Sequence, residues 1–190
     1  KGDKNITEKL SAYLDLQYRY VQYHINGFDD NPALIQRNRY HFLNPKAGLS
    51  YRINNHQTAY LSYAIAGKEP NRDDYEANQA QTPKAEHLQD WEAGYDEQGS
   101  FYAWHANLYY MQYKDQLALT GQINDVGAYT RKNIPNSYRA GIELYGHVNF
   151  ARIFSLAANA TFSRNKIKDF TEYLDDYDND GHKAVYHHLT

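Results

Sequence analysis

The sequence predicts an all-β fold: an antiparallel up-and-down meander of about eight strands, forming a segment of a transmembrane β-barrel with short periplasmic turns and long extracellular loops. Three observations predict it. Apolar and polar residues alternate with period two along most of the chain. The connections between alternating stretches are by turns long and short. Tyrosine occurs 20 times, although the mean hydropathy is only −0.87.

The alternation begins at residues 8–25, where Leu10, Ala12, Leu14, Leu16, Tyr18 and Tyr20 share one face and Ser11, Asp15, Gln17 and Arg19 the other. A helix would need the apolar set at spacings of three and four. The same pattern recurs in residues 46–53, 58–66, 91–96, 102–112, 138–149 and 154–163, with a last strand starting near Lys183. One apolar and one polar face per strand suit an antiparallel sheet wetted on one side.

The connections carry more information. Long polar stretches at 27–39, 68–84, 120–136 and 174–183 alternate with tight ones at 54–56, 98–100 and 151–152. A meander sends alternate connections to opposite edges, so all the short ones share one side and all the long ones the other. Outer-membrane barrels have that asymmetry.

Tyrosine is suited to a surface that is apolar at one end of the ring and wet at the other, as at a membrane interface. The low hydropathy is compatible with a barrel, because only alternate residues meet lipid. No stretch approaches the ~20 apolar residues of a transmembrane helix. The polar opening Lys1–Asn5 lacks the hydrophobic region of a signal peptide, as a mature chain or an excised fragment would. With 20 basic against 23 acidic residues in 190, no global field favours nucleic acid. Cysteine is absent, which removes disulfides, thiolate metal sites and cysteine nucleophiles. No Gly-x-Ser-x-Gly elbow or phosphate-binding glycine loop occurs, so the chain reads as a non-enzyme.

The wording around the strands resembles the barrel of TonB-dependent outer-membrane receptors, in its C-terminal half. The segments that carry this are Asn44-Pro45-Lys46-Ala47-Gly48-Leu49-Ser50-Tyr51, Ala59-Tyr60-Leu61-Ser62-Tyr63-Ala64, Glu69-Pro70-Asn71, Pro83-Lys84-Ala85-Glu86 and Trp91-Glu92-Ala93-Gly94-Tyr95. They are followed by Asn107 to Leu117 and by Asn136-Ser137-Tyr138-Arg139-Ala140-Gly141-Ile142-Glu143. Their order over residues 44–173 carries the match, and the wording is most similar to receptors of Bacteroidetes bacteria. The resemblance implies a cell outer-membrane location and contact with outer-membrane lipid. It also implies uptake of a scarce small molecule, such as a ferric siderophore or other iron complex. TonB would drive that uptake through a plug domain. Residues 1–190 would then be a single partial barrel domain, with the plug and the remaining strands absent. Two other functions are open: a soluble antiparallel carbohydrate-binding module, and a passive porin-like barrel.

Several residues are candidates for function. Arg72 and Tyr75 in one long loop, and Tyr129, Arg131 and Lys132 in another, could hold an anionic ferric chelate by charge and stacking. Arg52, Glu92, Arg139 and Glu143 fall on the polar, lumen-facing side, where they could guide ligand or simply pin strand register. Asp176, Asp178 and Asp180 followed by Gly181 match the opening of a calcium loop. His187 stands where the bidentate glutamate should be, so an ordinary acidic loop is the plainer reading. Calcium aside, no cofactor is required. His182, His187 and His188 cluster without a ligand spacing.

Overall fold

A computed structural model describes residues 1–29, 32–77, 82–123, 129–150, 153–167, 170–176 and 183–189. Its strands are β1 (Gly2–Asn5), β2 (Leu10–Asn26), β3 (Ile35–Arg52), β4 (Gln57–Lys68), β5 (Glu86–Gln98), β6 (Tyr102–Ile123), β7 (Tyr129–Phe150), β8 (Phe154–Ile167), β9 (Phe170–Asp176) and β10 (Lys183–Leu189). One short helix, α1 (Arg72–Ala77), lies between β4 and β5. Strands β1 to β8 form one antiparallel sheet in sequence order, the expected meander. β9 and β10 pair with each other in a separate two-stranded sheet.

Register turns the sequence alternation into two surfaces. Ala12, Leu49, Leu61, Ala93, Leu108, Ile142 and Phe162 are successive cross-strand partners from β2 to β8, and so form one apolar row. One residue along, Tyr13, Gly48, Ser62, Glu92, Tyr109, Gly141 and Ser163 form a polar row on the opposite face. The apolar face is bare: Leu16 is 62% exposed, Leu61 51% and Leu108 56%. In water so broad an apolar surface would drive association, whereas lipid is its natural solvent.

The polar face is held by tyrosines lying over glycines. Tyr13 pairs with Gly48, Tyr60 with Gly94 and Tyr109 with Gly141, each directly opposite on the next strand. A Cβ on any of these glycines would run into the tyrosine ring. The ring needs that space to lie flat on the sheet, and Tyr60 thereby reaches across Gly94 to donate to Asn107 Oδ1 at 3.1 Å. Gly141 is the least forgiving, since its Cβ would also sit 2.6 Å from the Phe162 carbonyl oxygen, a backbone atom that cannot rotate away.

Several expected boundaries move. The 27–39 loop shrinks to residues 27–34, because β3 starts at Ile35. The 120–136 loop shrinks from both sides, because β6 runs to Ile123 and β7 starts at Tyr129. These extensions are mostly polar on both faces, with scattered apolar residues such as Ile35 and Ile134, so no apolar–polar alternation marks them. β1, with the all-polar sequence Gly-Asp-Lys-Asn, was also not expected. It is joined to β2 by a turn in which Thr7 Oγ1 accepts from the Leu10 N–H at 2.9 Å. The tight turn after β3 is as expected, with Asn54 Oδ1 accepting from the His56 N–H at 2.8 Å. The Ala151–Arg152 turn and the 177–182 part of the 174–183 loop lie outside the described residues.

Candidate functional site

At the long-loop end, the polar face carries a cluster built around the β4–β5 connection. Pro45 starts it. A proline in a strand offers no N–H, and the β3–β4 ladder stops at Lys46–Ala64. Above that point the Asn44 side chain takes over, its Oδ1 accepting from the Gly67 N–H at 3.0 Å. The Phe42 ring settles against Gly67, where a side chain would collide with it. Arg19 of β2 lies over that ring, 4.8 Å from its centre.

Arg19 then fastens the loop. Its guanidinium donates to Glu69 Oε1 at 2.8 Å and to the Gly67 carbonyl at 2.9 Å, with Glu69 Oε2 at 2.5 Å. Tyr23 donates to the same carboxylate at 3.4 Å. Burial pushes the Glu69 pKa up, but the Arg19 hydrogen bonds and charge outweigh it, and the net direction is down. Reaching a carboxylate with one nitrogen and a backbone carbonyl with the other is what the forked guanidinium offers and an ammonium does not.

Two residues further on, the chain forms α1. Asn71 Oδ1 accepts from the Asp74 N–H at 2.8 Å and Asp74 Oδ2 accepts from the Asn71 N–H at 2.7 Å, a reciprocal capping box. Tyr75 is 1% exposed and its hydroxyl is bonded to that of Tyr40. Burial and that bond push its pKa well above the ordinary tyrosine value. Asp74, also buried, accepts from Arg131 of β7 at 3.2 Å. The loop is therefore tied to β2 and β3 at one end and to β7 at the other. These strands stand up to five places apart in the sheet order.

The sequence-derived candidates separate on this geometry. Arg72 stacks its guanidinium on Phe28 at 4.9 Å, Tyr75 is buried, and Arg131 pairs with Asp74. Lys132 is exposed. The Tyr129 side chain lies outside the described residues. Glu92, Arg139 and Glu143 share the polar face, where their partners in register are Tyr109, Met111 and Asn107. No ion pair joins these three among the described residues; Arg139 instead lies 5.2 Å over the Tyr113 ring. Arg52 is at the short-turn end and donates to the Glu8 carbonyl. The side chain of Asp176, and all of Asp178 and Asp180, lie outside the described residues.

Arg19, Tyr23, Tyr40 and Glu69 belong to the cluster although sequence reasoning did not single them out for a site. The available signals were a proline inside a strand pattern at Pro45 and an Asn-x-x-Asp cap at Asn71. The Asn38 side-chain nitrogen, on the same face, is buried with no hydrogen-bond partner. Chemically, the cluster offers guanidinium and phenol donors at the barrel mouth, held within a closed set of internal contacts.

A single antiparallel meander with a bare apolar face, a polar face and loops sorted by length defines a membrane-barrel segment. Its family is equally definite: the chain belongs to the TonB-dependent receptor-like β-barrel family, whose model matches residues 2–186. Barrels of this family reside in the outer membrane. Among solved structures, the fold is similar to the copper transporter OprC, with TM-score 0.75 and 12% identity over 87% of this chain and 27% of that one. It is also similar to the FrpB iron transporter from Neisseria meningitidis, F3-3 variant, with TM-score 0.65 and 17% identity over 85% and 24%. The ferric yersiniabactin uptake receptor FyuA from Yersinia pestis gives TM-score 0.65 and 14% identity over 92% and 30%. The chain thus spans about a quarter to 30% of the length of these proteins. No curated protein matches it in sequence.

Proposed function

We propose that this chain is part of an outer-membrane receptor that takes up a scarce small molecule, a ferric siderophore or other iron complex, driven by TonB through a plug domain. The observation that carries this reading is the arginine and tyrosine cluster at the barrel mouth, in a chain of this family. The names of the similar structures favour iron as cargo: FrpB is described as an iron transporter and FyuA as a ferric yersiniabactin uptake receptor. OprC, described as a copper transporter, keeps a second metal in view.

Ligand capture would exchange internal contacts for external ones. Arg131 now serves Asp74 and Tyr75 serves Tyr40, so an anionic chelate meeting these groups has to displace the β4–β5 loop. The apolar face contacts membrane lipid, and the polar face lines the path the plug would occupy. Calcium at Asp176, Asp178 and Asp180 is a further element of the proposal.

The test is uptake of radioactive iron, supplied as ferric hydroxamate, ferric catecholate or ferric citrate, by cells expressing the full-length receptor. The expected result is accumulation of one class of chelate that stops when TonB is deleted. Accumulation independent of TonB would make the barrel a passive pore, and accumulation of none would remove the ferric-chelate reading.

A further inference from the structure

We propose that Glu97, on the apolar outer face at the short-turn end of β5, binds the primary ammonium of a phospholipid headgroup in the periplasmic leaflet. The inference rests on the outer-membrane receptor reading above and gives its lipid contact one partner chemistry at one side chain.

Followed through the register from β2 to β8, the outer face carries a single carboxylate among the described residues, that of Glu97. Its row is Gln57, Glu97, Trp104, Gly146 and Ala158. The next row on the same face is Ala59, Tyr95, Ala106, Leu144 and Ala160. A charge set beside such a surface costs free energy unless it is paired. The lower edge of the apolar face descends from Tyr51 on β3 to Phe154 at the start of β8, and Glu97 falls between them, one residue before the end of β5. Its level is therefore the border of the apolar band, where headgroups meet hydrocarbon.

Three groups hold the carboxylate. Tyr102 OH donates to Oε1 at 2.7 Å, while Tyr95 OH and Gln57 Nε2 donate to Oε2 at 3.0 and 3.1 Å. All three are neutral, so they orient the charge without cancelling it. No ion pair reaches Glu97 among the described residues. The cations at this end of the sheet are occupied elsewhere: Lys9 donates to the Ile53 carbonyl and Arg52 to that of Glu8.

What remains open on Glu97 defines the partner. Oε1 receives one donor where Oε2 receives two, so Oε1 can accept another. Trp104 stands directly opposite Glu97 in register and is 40% exposed, with the Tyr95 ring centre 4.9 Å from its own. Rings so placed attract a cation to their faces. The site thus joins a negative charge, a free acceptor position and two neighbouring aromatic rings, and lacks a cation. A primary ammonium supplies the charge and an N–H for Oε1 together. A quaternary ammonium supplies the charge alone.

The test uses the full-length receptor in nanodiscs containing equal amounts of phosphatidylethanolamine and phosphatidylcholine with the same acyl chains. Native mass spectrometry counts which lipid stays bound. The wild type is expected to favour the ethanolamine lipid by about fivefold, the factor for one unit charge at a membrane surface. E97Q should lose that preference, and Y102F, which keeps the charge and the ring, should retain it. On the wild type alone, a dimethylated headgroup, with one N–H left, should still outcompete the trimethylated one, which decides the matter if E97Q does not fold. Equal retention of both lipids by the wild type, or an unchanged preference in E97Q, would overturn the inference. Loss in Y102F as large as in E97Q would also overturn it, by assigning the preference to the hydroxyl network. Displacement by millimolar ethanolamine would do so too, by assigning a site for soluble amines. A receptor that inserts but shows no preference refutes this inference alone. One that never enters the nanodiscs refutes the barrel reading and, with it, this inference.

Discussion

Replacing Glu69 by glutamine should release the β4–β5 loop without unsettling the barrel. The substitution keeps the shape and one acceptor oxygen but removes the charge that Arg19 grips at 2.8 and 2.5 Å. A hydrogen bond to a charged group contributes about 1.5–3 kcal/mol. One is at stake, with the ion-pair contact to Oε2 beside it, but the Arg19 side chain is 35% exposed and solvent screens part of the attraction. A net loss of about 2 kcal/mol follows, or roughly thirtyfold in the ratio of docked to undocked loop. Nothing in the β2–β8 ladder changes, so heat-modifiable migration of the folded receptor should persist. The assay is hydrogen–deuterium exchange on the full-length receptor in detergent, following the amides of residues 69–77. Exchange in E69Q should be on the order of thirtyfold faster there and unchanged in β5 and β6. Unchanged exchange at 69–77 would show that the loop is not held by this pair, and would refute the latch.

Further outcomes follow from the same contacts. Because the net shift of the Glu69 pKa is downward from 4.5, its contribution to loop docking is fully present above about pH 4.5. It is lost as pH falls through the lowered value, so 69–77 exchange should rise below that pH in the wild type and be flat in E69Q. Gly141→Ala places a Cβ 2.6 Å from the Phe162 carbonyl oxygen within a paired ladder and should destabilise the refolded receptor by about 1–3 kcal/mol in urea. Gly94→Ala confronts only the Tyr60 ring, which can rotate away, so its loss should be near the ~1 kcal/mol of the Tyr60–Asn107 bond. Tyr60→Phe should reproduce that smaller loss. If the 176–181 run holds calcium, calorimetric titration of the receptor should give heat that D176N/D178N abolishes.

How far the sequence could be read depends on what surrounds each strand. Between Tyr51 and Tyr20 one face is a bare apolar surface and the other polar, so the residues alternate and the pattern is plain. Above that level both faces are mostly polar. Gln36, Asn38 and Tyr40 then alternate with Arg37, Arg39 and His41, and only register shows two faces. α1 is six residues long, too short for a 3.6-residue period to show, although its Asn71–Asp74 cap stands in the sequence. The polar-face candidates Glu92, Arg139 and Glu143 could be placed by parity alone. The loop candidates could not, because burial of Tyr75 and the pairing of Arg131 depend on how the loop folds back over strands distant in sequence. Glycines 48, 94 and 141 stand inside strands, where a missing side chain allows close approach. Which tyrosine lies over each glycine follows only from register.

The most direct test is the solvent that each face meets. This chain has no cysteine, so single cysteines at Leu61, Ser62, Leu108 and Asn107 can be spin-labelled in a full-length receptor otherwise free of the residue. In liposomes, labels at 61 and 108 should collide with dissolved oxygen and be shielded from a water-soluble nickel chelate. Labels at 62 and 107 should not meet lipid at all. That alternation would establish a membrane barrel with its polar face inward. Equal chelate access at 61 and 62 would contradict it.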